Sequence, residues 1–494
     1  MNKNTAFLFV LVFSLVTVSF SFAQTPQPIK RFLALPEVRG ASFSLLVKDL
    51  RLGETVYRFD PDRCLTPASV MKLVTTATAL ELLGGEFRFE TTLEYDGRVK
   101  DGVLYGNVYI RGGGDPTLGS AFFAKDRLSF LPDENTFVPQ WIDALTRAGI
   151  HTIDGRVISD ERIFDNEGVS RKWLYEDLGS YYGMGCYGIS VFDNQYKLVL
   201  RTGQAGSTPL IQRMVPAVGG LRFENYMIAA NVLSDSSYIM GAPFSDLRFL
   251  YGVVPAGKES YVLKGDIPDP PLFFAEYMTE RLLQAGFEIR GEPTCFRLLS
   301  EKGDLPTEKR TKLMTTYSPS LAEIARVTNE FSHNLYAEAL LKTVGLLEVP
   351  DNESLVSSFD RGVNVLKNYW AKKGLDTSVL QLYDGSGLAV TDKLTTDFLC
   401  DLLIYMRKQS SEGDAFVRSI PRVGLEGSVR NFLKGSFLQG KARLKSGSMT
   451  GVKSYAGYIE KDGRTYVVAM MINNYAGEGR LVTQAMERLF LSLF

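Results

Sequence analysis

Apolar and polar residues alternate through "ASFSLLVKDLRLGETVYRFDPD", residues 41 to 62, on either side of Leu52-Gly53-Glu54, which predicts a hairpin of two strands. The pattern then changes to "LTPASVMKLVTTATALELLGG", residues 65 to 85, where apolar residues keep a helical spacing up to Gly84-Gly85 and predict a helix that begins near Ser69. From about Phe87 to Leu263 the chain breaks into short β-like runs such as "TTLEYDGRV", "GVLYGNVYIRGGGDPTL" and "SYVLKGDIP", with few segments of helical period. This stretch reads as a mostly β insert with its own small core, and the Gly, Ser and Pro-rich part from Gly203 to Gly220 reads as loop. Asp266 to Pro271, "DIPDPP", marks a boundary.

Helical periodicity returns in "PLFFAEYMTERLLQAGF", "SLAEIARVTNEFSHNLYAEALLKTVG", "SSFDRGVNVLKNYWAKKG" and "TTDFLCDLLIYMRKQ". The chain closes with "KARLKSGSMTG", two alternating runs joined across Lys461-Asp462-Gly463, and an amphipathic segment from Glu478 to Phe494 whose default role is packing on the sheet. The order of strands, helices, strands and helix predicts an α+β domain whose sheet draws on both ends of the chain. Its expected boundaries are residues 24–88 and 267–494, with 89–266 inserted as a large, mostly β domain that has room for a nested subdomain.

Length and composition fit this picture. A chain of 494 residues can bury a large core, and its near balance of 55 Lys plus Arg against 56 Asp plus Glu, with no long basic run, argues against nucleic acid as a partner. At the start, Lys3, an apolar run from Ala6 to about Phe20, and small residues at Ser21 and Ala23 predict a signal peptide over residues 1–23, cleaved before Gln24. A membrane anchor is the competing reading of that run, and no later stretch is apolar enough to span a bilayer. Cys64, Cys186, Cys295 and Cys400 lie far apart and form no C-x-x-C pair, so buried free thiols are expected, with Cys64 packed near the Ser69 helix. Two histidines, His151 and His333, leave little material for a histidine metal site or a Ser-His-Asp triad.

Three short motifs carry the chemistry. Ser69 and Lys72 are three apart at a helix start, which puts the amine on the same face as the hydroxyl. The pair reads either as a cap with a solvated neighbour or as a nucleophile with its base. Ser332 and Asn334 lie at a junction between two helical stretches, where they either cap the second helix or face a cleft; His333 between them reads as a surface residue. Lys445, Ser446, Gly447 and Ser448 end a late strand, as an edge strand with a protective lysine or as a cradle for a carboxylate. Each of S-x-x-K, S-x-N and K-[ST]-G occurs once, in that order.

With these motifs the sequence resembles the D-alanyl-D-alanine carboxypeptidase/endopeptidase family of class C low-molecular-weight penicillin-binding proteins, the S13 peptidases. The likeness runs from about residue 40 to the end and includes "PASVMKL", "GGGDPTL", "SHNLYAEALL", "YDGSGLA", "KSGSMTG" and "YAGYI". It departs from the family at His333, where Asp is usual, at Ser446, where Thr is common, and at Gly113, where Ser is usual; these bear on substrate preference more than on activity. The resemblance implies a penicillin-binding, β-lactamase-like transpeptidase fold and acyl transfer at D-Ala-D-Ala peptides of peptidoglycan, with β-lactams as covalent inhibitors. It implies Ser69 as nucleophile, Lys72 as base, Ser332 as proton relay, Asn334 on the substrate amide, and Lys445 with Ser446 on the terminal carboxylate. Gly447 would admit the substrate backbone and the N–H groups of Ser69 and Ser448 would hold the oxyanion. No cofactor or metal is required, and an exported, periplasmic or cell-envelope location follows. A β-lactamase or esterase of the same superfamily, and a non-catalytic wall-binding protein, are the rival readings; the oligomeric state is left open.

Overall fold

The computed structural model describes residues 25–124, 134–306, 309–348 and 356–494. The expected signal peptide lies outside them.

A five-stranded antiparallel sheet joins the chain ends, in the order Thr55–Phe59, Ser42–Asp49, Arg464–Asn473, Val452–Lys461, Ala442–Met449. The hairpin about Gly53 forms as its alternation predicts. Both faces of the sheet are covered, so its central strands read as nearly continuous apolar runs. Leu45, Val47, Val468, Met470 and Ile472 point to a core closed by the helices Gln27–Leu33 and Gly479–Leu493. Leu46, Val467, Ala469 and Met471 point the other way, into a larger core shared with the helices Met71–Leu83, Leu321–Glu330, Asn334–Gly345, Ser358–Lys372 and Thr396–Lys408. The last amphipathic helix therefore packs on the sheet. Among the described residues no helix is long and apolar enough to cross a membrane.

The middle of the chain builds several small sheets around a separate core that includes Trp141, Tyr196, Leu198 and Phe274. One expectation fails there: Leu210–Val215, read as loop, is a strand paired with Gln195–Arg201. The mostly β middle also holds a helix, Val138–Arg147, with Trp141 on its buried side. A short strand with mixed exposure gives too weak a period to stand out from flanking Gly and Pro.

Beyond residue 267 the chain keeps to the middle core. Helix Pro270–Gln284, started by Asp269 whose carboxylate accepts the Leu272 N–H, packs into the middle core. Strand Thr294–Cys295 pairs with Val157–Asp160, and Thr311–Tyr317 pairs with Glu90–Tyr95. The entering and leaving segments run side by side, with Ser318 N–H bonded to Phe89 O and Leu321 N–H to Phe87 O. Helical periodicity, which marks Pro270–Gln284, does not say on which core a helix packs. We propose that the insert extends to about Tyr317.

Candidate active site

Ser69 lies in a tight turn, Ala68–Val70, that leads directly into helix Met71–Leu83. Ala68 takes a left-handed φ of 47°, rare for a residue with a Cβ and most often found where a functional geometry is held by its surroundings. The segment before it is clamped to the sheet: Thr66 N–H donates to Asn473 Oδ1 at 2.7 Å, the Asn473 amide donates back to Thr66 O, and Ser454 Oγ donates to Pro67 O. Ser69 makes no capping bond, which removes the structural explanation for its position.

Lys72 sits one turn along, fully buried, and its ammonium meets three oxygens: Ser69 Oγ at 3.0 Å, Asn334 Oδ1 at 2.7 Å and Ser386 O at 2.8 Å. Burial pulls its pKa down to about 8, against the opposing pull of the Glu338 and Asp384 carboxylates. A lysine so placed can lose its proton near neutral pH and accept one from the serine.

Ser332 and Asn334 reach the site from the junction of Leu321–Glu330 and Asn334–Gly345. Neither serves as a cap; the N-cap position is His333, and Ser332 has a strained φ of 59°. That turn aims Ser332 Oγ at Lys445 Nζ, 2.9 Å away, while Asn334 Nδ2 donates to Tyr182 O at 2.7 Å from the inserted region. Lys445 is also fully buried, and its pKa lies well below the ordinary lysine range because of burial and the charge on Lys72. Two buried amines whose charges act on each other are most stable with one of them neutral.

The strand Ala442–Met449 is the edge of the five-stranded sheet. Leu444 N–H donates away from the sheet to Pro421 O, and by the two-residue alternation of a strand the N–H groups of Ser446 and Ser448 point the same way. Gly447 lets this edge touch the Ser69 turn: a Cβ there would come within 2.8 Å of Ser69 N and Pro67 O and 2.2 Å of Ser454 Oγ. Ser446 Oγ pairs with Ser428 Oγ at 2.9 Å, and Ser448 Oγ accepts from Lys453 at 2.8 Å. The three motifs, separated by hundreds of residues, thus form one constellation: a hydroxyl with a buried amine, a second hydroxyl with a second amine, and an edge strand of outward N–H groups.

Two expectations are corrected. His333 is buried rather than on the surface, stacked on Tyr336 at 4.0 Å and edge-on to Phe122, with neither ring nitrogen hydrogen-bonded among the described residues. The ring of Phe122, from the inserted region, and that of Tyr336, a turn along the helix that His333 caps, close over it. Cys64 is exposed rather than packed, and all four cysteines are free. Sequence reasoning also missed Glu338 beneath the site, Ser428 at its rim and Tyr182 from the insert. Ser386 lies within the "YDGSGLA" stretch, so a signal for it was present; Tyr182 contributes a backbone carbonyl, which no side-chain motif records.

His333 carries a pH prediction. Burial lowers its pKa from 6.5 to about 4. Between those values the unfolded chain binds a proton that the folded chain refuses, so its contribution to stability is intact above pH 6.5 and is lost as pH falls toward 4. The gap corresponds to roughly 3 kcal/mol. Urea unfolding at neutral pH and near pH 4 should show wild type losing more stability than His333→Asn; equal losses would exclude His333 as the source.

Comparison with known proteins gives a consistent picture. Residues 26–491 match the D-Ala-D-Ala carboxypeptidase 3 (S13) family. The chain is 26% identical over 478 residues to a D-alanyl-D-alanine carboxypeptidase of Actinomadura sp. (strain R39), covering 93% of this chain and 82% of that protein. It is 23% identical to D-alanyl-D-alanine carboxypeptidase DacB of Haemophilus influenzae over 96% of this chain and 94% of the relative. The crystal structure of penicillin binding protein 4 (dacB) from Haemophilus influenzae superposes with a TM-score of 0.78 at 20% identity, covering 94% of this chain and 99% of that one. The same protein complexed with a β-lactam gives 0.73 at 19% identity, covering 94% and 98%. The fold is accordingly the α+β fold of the penicillin-binding proteins.

Proposed function

The chain belongs to the D-Ala-D-Ala carboxypeptidase 3 (S13) family, and from that premise we propose that it hydrolyses D-Ala-D-Ala peptides of peptidoglycan through an acyl-enzyme on Ser69. It is a serine-type peptidase. The observation that carries the residue assignment is the buried Lys72 amine 3.0 Å from Ser69 Oγ.

Neutral Lys72 takes the Ser69 proton as the oxygen attacks the penultimate carbonyl. The Ser69 and Ser448 N–H groups hold the oxyanion, an interaction worth roughly a hundredfold to a thousandfold in rate in other serine enzymes. Ser332, bonded to Lys445, passes a proton to the departing D-Ala amine. Asn334 orients the substrate amide, Lys445 and the hydroxyls of Ser446 and Ser428 receive the terminal carboxylate, and Gly447 keeps the edge strand close to the turn. Water then attacks the acyl carbonyl and Ser69 recovers its proton. A β-lactam enters by the same attack, but its opened ring stays attached and leaves a stalled acyl-Ser69; the Haemophilus influenzae relative solved with a β-lactam supports this route. The reading includes export across the membrane, where peptidoglycan lies.

Incubating the protein with a fluorescent penicillin and, separately, with a muropeptide ending in D-Ala-D-Ala tests the proposal. We expect one stable label per chain and released D-Ala. Absence of both would sink it, and label that is rapidly lost without D-Ala release would mark a β-lactamase.

A further inference from the structure

We propose that Glu338 is a positioning residue for the lysine and serine pair, acting through the Gly385–Ser386 peptide. This rests on Lys72 being the base. Glu338 follows Asn334 by four residues on one helix, so the two share a face, and it is fully buried. Its carboxylate accepts the Gly385 N–H at 2.7 Å and the Ser386 N–H at 3.0 Å. Ser386 O is in turn one of the three acceptors of Lys72. One helix face therefore fixes Lys72 twice: directly through Asn334 and indirectly through the backbone that Glu338 holds.

The surrounding bonds make this peptide a built support. Thr75, on the helix that carries Lys72, donates to Gly385 O at 2.7 Å. Asp384 accepts from Gly387 N, Ala389 N and Trp173 Nε1, and Tyr383 N–H donates to Asp392. Gly387, at φ 76°, brings the loop against the nucleophile turn, for a Cβ there would meet Ala68 O at 2.1 Å. A carboxylate that served packing alone would not need to grip the two N–H groups that orient the lysine's acceptor.

The charge has a second effect. Lys72 is faced by Glu338 from its helix, by Asp384 from the loop and by Lys445 from the edge strand, with neutral His333 nearby and Asp392 behind Asp384. Both Glu338 oxygens accept N–H groups and neither donates in any described bond, the pattern of an ionised carboxylate, although burial pushes its pKa up. Glu338 thus favours the protonated lysine and sets the pH at which the base becomes available.

The test is the second-order rate of acylation by a fluorescent penicillin, measured from about pH 5 to about pH 10, with thermal unfolding alongside. In Glu338→Gln we expect the high-pH plateau to fall roughly tenfold to a hundredfold as the lysine loses its aim, and the acid limb to move down by about one pH unit as the neighbouring negative charge disappears. Thr75→Val loosens the same peptide without changing charge, and should lower the plateau while leaving the limb in place; it is decisive if Glu338→Gln does not fold. A folded Glu338→Gln with plateau and limb unchanged, beside an inactive Lys72→Ala, overturns the proposal and leaves the base assignment standing. A Lys72→Ala variant that acylates at the wild-type rate overturns the base assignment and this proposal with it.

Discussion

Ser69→Ala abolishes covalent labelling by a β-lactam and lowers D-Ala release by more than about ten-thousandfold, because among the described residues no other hydroxyl is bonded to Lys72. The Lys72 ammonium contacts one hydroxyl, that of Ser69, with its remaining contacts to Asn334 Oδ1 and Ser386 O. Ser332 Oγ is committed to Lys445 and Ser446 Oγ to Ser428. The fold should survive, since Ser69 caps no helix and Lys72 keeps two of its three acceptors; an unfolding midpoint close to wild type separates lost chemistry from lost structure. Mass spectrometry of the protein after incubation with a penicillin reads the adduct directly. An adduct of unchanged stoichiometry in Ser69→Ala, mapped to Ser332 or Ser446, would reassign the nucleophile.

What the sequence made legible follows from which interactions are local. Ser69 and Lys72 share a helix face, so spacing alone brought the hydroxyl and amine together. The hairpin about Gly53 was legible from its turn residues and the alternation beside them, while Leu45, Leu46 and Val47 form the continuous apolar run of a strand with a core on each face. The approach of Ser332, Asn334 and Lys445 to Ser69 is not local, and only the order and single occurrence of their motifs carried it. Glu338 escaped notice because a glutamate on a helix usually faces water; here its partners are backbone N–H groups of a loop that local periodicity cannot bring to it. His333 was misplaced for the same reason: the Phe122 and Tyr336 rings that bury it come from other elements or a turn further on. The later end proposed for the insert has a related cause, since strands of two to seven residues, Thr294–Cys295 and Thr311–Tyr317, are specified by pairing with the middle sheets more than by their own pattern.

Lys72→Ala should cut acylation by roughly a hundredfold to ten-thousandfold, the range expected when a general base is removed. Lys72→Arg separates the two ways in which a lysine could matter. An arginine retains a positive charge beside Ser69, Asn334 and the Glu338 carboxylate, but with a pKa above about 12 it does not give up its proton. If Lys72 serves only as a cationic anchor, Lys72→Arg keeps a substantial share of the activity; if it takes the Ser69 proton, the arginine variant is as slow as the alanine one. We expect the second result. The wild-type pH profile supplies an independent check, because burial brings the Lys72 pKa to about 8. Below that value the fraction of neutral amine, and with it the acylation rate, should fall about tenfold per pH unit, and above it the rate should level off. A wild-type rate that stays flat from about pH 6 to about pH 9, together with an active Lys72→Arg, would transfer the role of base to Lys445 acting through Ser332, the only other buried amine with a hydroxyl partner among the described motif residues.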